Sequence, residues 1–563
     1  MYRYRIIAFL TAFSMTASLC SCSLRSKSSS SECSQCETTA PTEPTTEKAT
    51  EKATDPTAFD FLKDIPEEYK DVAKIKDSEN LKEVRSHVSD LFAHIQEPDN
   101  EAAIEKDIEL LLDDYDKLYE ICTNKMVTYY LDWNNDKLED EYDDADEDLG
   151  IADSLLEFAF GFGCQSKEYG YLFEELYSAD DDEDIDFEGD PDYGLIRYEI
   201  NSRVDTAKHD DLLDEYYDIR DNTELSTDEI ERRCAEIYLD ILQDYDADTI
   251  YDKYYRDYTG EEILELSQTI REKLVPLDDE VWNAYLNEYD KLKEHRHYEF
   301  DNPFIIIQEK APKLSKSIAN AANTLIEEKL YYIADDDNSY NLSFMDFLPA
   351  SKKAYIYLNK ANGELRTSVH EFGHYYASTY NDIPQFLATN NIDIAEIQSQ
   401  GFEVLFMQLY DDIYGDEAES YKISKLNNMI FTLTSSFIIS EFEYTVLKNK
   451  DTYTPDDVIK CWNDLGGDYK YHNFYDVNHI YESPGYYISY GVSALAAFDI
   501  WQDCISDKDK AVKKYENIAK ISCNDKDYTF RLALKKAGFN DVLNEEYITD
   551  LSDKLMKYIN EHK

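Results

Sequence analysis

Two histidines four positions apart form the most informative pattern in this sequence. His370 and His374 enclose the segment His-Glu-Phe-Gly-His, in which Glu371 directly follows the first histidine. On a helix, positions i and i+4 lie on the same face, so both imidazoles can bind one Zn²⁺. Glu371 would then lie beside an open coordination position and could take a proton from an activated water. The pattern predicts a zinc peptidase.

A further carboxylate lies downstream of this motif. Glu396 begins the run Glu-Ile-Gln-Ser-Gln-Gly-Phe-Glu, which ends at Glu403. Three protein ligands leave the fourth position of a tetrahedral zinc open, which is the condition for a catalytic rather than a structural metal. The alternative interpretation is an amphipathic helix with two solvated histidines. The chain has only 10 histidines in 563 residues, so two at this spacing favour the metal site.

The segments around the motif predict how it is positioned. Residues 355–358 read Tyr-Ile-Tyr-Leu, which is typical of a strand, and Gly363 marks the turn that follows. We expect the histidine helix to begin at Thr367 or Ser368. A strand beside a metal-binding helix would also offer an edge on which an extended peptide could pair.

A second candidate cluster lies in residues 479–491. It contains one histidine and four tyrosines, namely His479, Tyr481, Tyr486, Tyr487 and Tyr490. Imidazole and phenol donors could stabilise the oxyanion that forms when water attacks an amide carbonyl. The structural alternative is a Pro-Gly loop followed by a helix that buries Ile488, Val492, Leu495 and Trp501.

Taken together, the two motifs, the preceding strand and this loop resemble the thimet oligopeptidase and oligoendopeptidase F family of zinc metallopeptidases. The resemblance covers roughly residues 350–505. It implies one zinc per chain, held by His370, His374 and Glu396, with Glu371 as general base. It also implies that Glu403 orients a ligand histidine. In the loop it assigns substrate or oxyanion contacts to His479, Tyr490 and Tyr486, with Tyr481 and Tyr487 as alternatives for the second tyrosine.

Other zinc peptidases fit the motifs less well. Carboxypeptidase Taq-like enzymes share the His-Glu-x-x-His helix, but the second motif here lacks their His-Glu-Ser-Gln-Ser order. No Gly-x-Met-Glu-Asn segment is present, which argues against zinc aminopeptidases. A binding lipoprotein with a zinc site but no catalysis is the alternative from another class of proteins.

The amino terminus predicts a location outside the cytoplasm. Arg3 and Arg5 precede a short apolar run, and Leu19-Cys-Ser-Cys22 resembles a bacterial lipobox. We expect residues 1–21 to be a lipoprotein signal peptide and Cys22 to carry the lipid anchor. An ordinary cleaved signal is the alternative. Residues 22–57 have the Ser-, Thr-, Pro- and charge-rich composition of a disordered tether, in which Cys33 and Cys36 form either a local disulfide or nothing.

From residue 58 onward the chain is predicted to be globular and mainly α-helical. Glycine and proline are scarce, at 16 and 13, and apolar residues recur at three- and four-residue intervals. We expect a helical lobe over 58–300 and a catalytic lobe over 301–563, because Asn302-Pro303 interrupts the helical pattern. The family resemblance implies a deep cleft between them and a small sheet beside the zinc helix. The remaining six cysteines lack motif spacing, and most of them are expected to be buried free thiols. We expect a monomer.

The charge of the chain restricts its partners. Lysine and arginine total 56 against 120 acidic residues, a net charge of −64. This acidity excludes nucleic acid as a plausible partner and favours cationic over anionic peptides. Most acidic runs are expected to be solvated. Residues 184–189 resemble the start of a Ca²⁺-binding loop, but Leu195 stands where its closing glutamate belongs.

Overall fold

The computed structural model describes residues 60–63, 65–174, 176, 191–294, 300–334, 338–360, 364–467 and 473–562. Several sequence predictions lie outside these residues: the signal peptide, Cys22, the tether, the Cys33–Cys36 pair, Gly363 and the acidic segment 184–189. Within the described ranges, no helix is both long enough and apolar enough to cross a membrane. The six cysteines in those ranges have free thiols; Cys122, Cys234 and Cys504 are buried, as predicted for most of the six, whereas Cys164, Cys461 and Cys523 are only partly buried.

Helices make up most of the described chain, which confirms the prediction of a mainly α fold. In chain order they are α1 (Lys82–Ile95), α2 (Glu101–Tyr130), α3 (Asp136–Cys164), α4 (Pro191–Arg220), α5 (Thr227–Ile241), α6 (Gly260–Lys273), α7 (Val275–Glu294), α8 (Pro303–Lys310), α9 (Lys316–Glu327), α10 (Glu364–Ser378), α11 (Ile392–Phe406), α12 (Tyr410–Tyr414), α13 (Ala418–Asn449), α14 (Pro455–Asp464), α15 (His479–Glu482), α16 (Ile488–Ser506), α17 (Lys508–Ala519), α18 (Phe530–Ala537) and α19 (Glu545–His562).

A three-stranded sheet lies beside α10, as predicted. Its strands are β1 (Tyr331–Ala334), β2 (Phe344–Leu348) and β3 (Lys353–Asn359), in the order β1-β3-β2. The central strand pairs in parallel with β1 and antiparallel with β2. Its side chains alternate between two hydrophobic clusters, with Ile356 in one and Tyr357 in the other. Both faces are covered, which explains why this strand is almost entirely buried.

The described residues form two large hydrophobic clusters. One cluster runs from Leu81 to Leu195 and includes Phe386 from the later part of the chain. The other begins at Tyr216 and continues to Ile559. Residues from Tyr216 onward therefore share a core with the residues that carry the motifs. A boundary near residue 300 and a deep cleft remain predictions.

Helix α2 connects these parts of the molecule. The hydroxyls of Tyr119 and Thr123 each donate to the buried carboxylate of Asp346 on β2, at 3.1 Å. Earlier on the same helix, Asp116 accepts a hydrogen bond from the backbone N–H of Gln385 at 2.8 Å. Gln385 lies between α10 and α11, so α2 fixes both the sheet and the connection between the helices that carry the zinc motifs.

Candidate active site

The histidine helix and the glutamate helix cross at a glycine. A Cβ atom added to Gly373 would lie 2.7 Å from the carbonyl oxygen of Gln398 and 2.7 Å from the Cα of Ser399. Real Cβ atoms do not approach backbone atoms so closely, so glycine is what permits α10 and α11 to pack at this distance. The close crossing brings Glu396 on α11 to the face of α10 that carries the histidines.

Helix α10 begins at Glu364, earlier than the Thr367 or Ser368 start predicted from the sequence. Leu365 is buried and continues the apolar face formed by Val369 and Phe372, at helical spacing. Burial of Leu365 therefore favours another helical turn before the expected capping residues. The histidines keep their predicted places on the helix.

Three donor atoms of the predicted ligands come together. One nitrogen from each of His370 and His374 and one carboxylate oxygen of Glu396 all lie within 4.8 Å of one another. His370 Nε2 is 3.8 Å from Glu396 Oε2, and the centroids of the two imidazole rings are 5.1 Å apart. Two imidazoles and a carboxylate are the donor set of catalytic zinc sites. Burial, followed by the neighbouring His370, holds the pKa of His374 well below its usual range, so its ring is neutral and able to bind a metal.

Glu403 orients the first of these histidines. His370 Nδ1 donates to Glu403 Oε1 at 2.9 Å, which leaves Nε2 directed toward the other two ligand candidates. The buried Lys425 pairs with the second oxygen of Glu403. Burial alone would raise the pKa of Glu403, but Lys425 and His370 outweigh it and lower the pKa to about 2. The sequence predicted Glu403, whereas Lys425 on α13 carried no local signal.

Glu371 is buried, and the charges that act on it are those of Glu396 and Glu403. Its Oε2 is buried and has no hydrogen-bond partner among the described residues. Burial, and then the charges of Glu396 and Glu403, raise the pKa of Glu371 well above its usual range. A hydrogen bond from the backbone of Met345 on β2 opposes this shift. The carboxylate therefore lies between the candidate ligands and the edge strand.

The histidine and tyrosine loop contributes a compact aromatic cluster. The ring centroid of His479 lies 5.5 Å from that of Tyr486, 5.7 Å from that of Tyr487 and 6.1 Å from that of Tyr490. Burial raises the pKa of both Tyr486 and Tyr490 well above the usual range, and Glu396 raises both further. Both phenols are therefore neutral hydrogen-bond donors. Helix α16, which carries Tyr490, contacts the glutamate helix α11, where Gln400 donates to the hydroxyl of Ser493 at 3.1 Å.

Tyr481 lies outside this aromatic cluster. Its ring stacks on Tyr216 of α4 at 3.9 Å, and its hydroxyl donates to the carbonyl of Cys234 on α5 at 3.3 Å. Of the open alternatives for the second tyrosine, Tyr486 and Tyr487 are therefore in the cluster and Tyr481 is outside it. The predicted helix after the Pro-Gly loop is present as α16, and it buries Ile488, Val492, Leu495 and Trp501.

Comparison with protein-family models gives no match, and neither does comparison with curated proteins. Solved structures do match. A structure of PZ peptidase A with an inhibitor is 16% identical with a TM-score of 0.63, covering 87% of this chain and 99% of that one. A protein assigned as oligoendopeptidase F is 15% identical with a TM-score of 0.62, covering 86% and 98%. A second protein assigned as oligoendopeptidase F, from Bacillus anthracis strain Ames, is 14% identical with a TM-score of 0.62, covering 85% of this chain and 96% of that one.

The chain has the oligoendopeptidase F fold. The match extends over most of this chain and nearly all of each compared chain. The fold that the sequence resemblance implied for residues 350–505 therefore includes the acidic helices before them, where the sequence carried no family motif.

Proposed function

We propose that this protein is a zinc-dependent oligopeptidase of the thimet oligopeptidase and oligoendopeptidase F family, which hydrolyses internal bonds of short peptides. The observation that carries the proposal is the convergence of His370, His374 and Glu396 within 4.8 Å. The shared fold with solved peptidases supports it. Glu371 beside these ligand candidates distinguishes a catalytic arrangement from a metal site that only stabilises the fold.

In this mechanism, three groups of residues have separate tasks. His370, His374 and Glu396 hold the metal, and when bound Zn²⁺ supplies a Lewis acid that polarises the scissile carbonyl and activates a water. Glu371 accepts the proton of the attacking water and returns it to the leaving amine. Tyr490 or His479 donates a hydrogen bond to the oxyanion that develops on the carbonyl, and Tyr486 contacts the substrate beside them.

The location and partners of the enzyme are part of the proposal. A lipid on Cys22 anchors the chain to the outer side of the bacterial cell membrane, and residues 22–57 tether the enzyme there as a monomer. A net charge of −64 favours cationic peptide substrates over anionic ones. Nucleic acid is not a partner.

A cleavage map tests the proposed activity. A soluble form from residue 58 onward is incubated with a mixed library of short peptides, with and without a chelator, and the products are identified by mass spectrometry. Internal cleavage that the chelator abolishes is the expected result. Release of single carboxy-terminal residues would indicate a carboxypeptidase instead, and zinc binding without turnover would indicate a binding lipoprotein. Efficient digestion of casein or of a folded protein would contradict a narrow cleft.

A further inference from the structure

A buried arginine that belongs to neither motif forms hydrogen bonds with the tyrosine loop. Arg256 lies between α5 and α6, and its guanidinium Nη1 donates to the carbonyl of Gly485 at 2.7 Å. Nη2 donates to the hydroxyl of Ser489 at 2.7 Å and lies 3.4 Å from the carbonyl oxygen of Tyr486. One side chain therefore contacts Gly485 and Tyr486 in the loop and Ser489 in the first turn of α16.

The same guanidinium is bound to the helix that carries Glu396. Arg256 Nε and Nη2 lie 3.2–3.3 Å from the carboxylate oxygens of Asp393, in the first turn of α11. The hydroxyls of Ser489 and Tyr258 each donate to this carboxylate at 2.6 Å. Both charged side chains are fully buried. The ion pair is surrounded by hydrogen bonds, which is the condition under which a buried pair is tolerated.

The turn of the loop has a second and a third anchor. The backbone N–H of Gly485 donates to Glu443 Oε1 on α13 at 2.9 Å. The hydroxyl of Tyr254 reaches the carbonyls of Ser483 and Pro484, at 3.3 and 3.1 Å. Gly485 has a φ of +81°, a conformation that other residues rarely adopt. Polar groups of the turn are thus satisfied by buried side chains from distant segments.

We infer that Arg256 is a positioning residue for the proposed reaction, setting where Tyr486 and Tyr490 stand relative to Glu396. The inference rests on the proposed function. Arg256 joins the tyrosine loop to the ligand helix, through Gly485 and Ser489 on one side and Asp393 on the other, beside the direct hydrogen bond from Ser489 to Asp393. Because misplacement of a reacting group by about 1 Å can cost roughly 10²-fold in rate, loss of this connection should affect turnover more than metal binding.

The test compares two arginines that each form a two-pronged ion pair. Arg256→Met removes the contacts of the guanidinium with the loop and with Asp393, and leaves those of Tyr254 and Glu443 in place. Arg85→Met is the matched control, because Arg85 on α1 donates twice to the buried Glu199 on α4, at 2.9 Å each, away from the site. For each purified full-length variant we would measure zinc content, Tm, kcat, KM and hydrogen exchange of the amides in residues 483–490.

Arg256→Met is expected to retain its zinc and to lose about 10²-fold in kcat with little change in KM, while the amides of 483–490 exchange faster. Arg85→Met should lower Tm but leave kcat and loop exchange unchanged. Arg256→Lys, which keeps the charge without the planar fork, should recover part of the lost kcat. Wild-type kcat and wild-type loop exchange in a folded Arg256→Met variant would overturn the inference.

Ser489→Ala provides the test if Arg256→Met does not fold, because it removes only one contact of Arg256 and one of Asp393. A several-fold lower kcat with faster exchange at 483–490 supports the inference, and no change in either contradicts it. Failure of the proposed function gives a different result. In that case the zinc-loaded wild-type protein would cleave no peptide, while the exchange comparison would still report whether Arg256 holds the loop.

Discussion

The two halves of the candidate site are built in different ways. The metal ligands lie on two crossing helices, α10 and α11, and Gly373 sets the distance between them. Tyr490 lies in the first turn of α16, but the turn that precedes this helix and carries Tyr486 is held by Tyr254, Arg256 and Glu443 from other parts of the chain. Helix crossings fix ligands through backbone packing, whereas the loop depends on buried polar contacts. We therefore expect the two halves to fail separately when single side chains are changed.

The largest expected effect comes from removing the base while the ligands remain. Glu371→Gln should lower kcat by about 10³-fold, because the amide cannot accept the proton of the attacking water. Zinc content should stay at the wild-type level, since the substituted residue is not a ligand. Steady-state kinetics and elemental analysis of the same preparation measure both. Near-normal turnover would mean that another group activates the water.

The next effect is confined to the loop. Tyr490→Phe should lower kcat by about 10²-fold with little change in KM, on the scale of losing one oxyanion donor. Tyr481→Phe is the control from the same loop, and because it contacts Tyr216 and the Cys234 carbonyl it should leave kcat unchanged. If Tyr486→Phe or Tyr487→Phe loses kcat while Tyr490→Phe does not, the role of oxyanion donor belongs to that tyrosine.

A smaller effect should appear in zinc affinity, without a change in the tyrosine loop. Glu403→Gln weakens the hydrogen bond that orients His370 and leaves Lys425 buried opposite a neutral group. We expect zinc affinity to fall by about 10- to 100-fold, measured by competition with a chromogenic chelator. At saturating zinc, most of the activity should return. Unchanged affinity would show that Glu403 does not tune the ligand.

The crossing of the helices offers the last comparison. Gly373→Ala places a Cβ against backbone atoms of α11, whereas Gly401→Ala meets the end of the flexible Ile500 side chain at 2.8 Å. The first should lower the free energy of unfolding by about 1–3 kcal/mol and weaken zinc binding, and the second should cost less. Denaturant unfolding and zinc titration of both variants measure this. Equal effects would mean that the crossing does not set the ligand geometry.

The same difference explains what could be predicted from the sequence. His370, His374 and Glu371 follow helical periodicity, so their relation was predictable from spacing alone. The helical class and β3 also follow from local patterns. Arg256, Glu443 and Lys425 could not be identified, because their partners are distant in the chain and no periodicity connects them. The core shared by Tyr216 and the later helices is likewise a long-range feature.

The start of α10 also depends on packing that local sequence patterns do not reveal. Thr367 and Ser368 are good capping residues, but the buried Leu365 adds tertiary packing that extends the helix to Glu364. The choice among Tyr481, Tyr486 and Tyr487 likewise depended on how the turn at Gly485 folds. Spacing could not reveal that Tyr481 faces Tyr216 instead of the site.

Metal analysis shows whether His370, His374 and Glu396 form a zinc site. Elemental analysis of the purified wild-type protein, and of a His374→Ala variant as control, should be performed before and after addition of zinc and removal of the excess. We expect one zinc per chain in the wild-type protein and far less in the variant. Wild-type protein without stoichiometric metal after zinc addition, or a variant that retains a full equivalent, would contradict it.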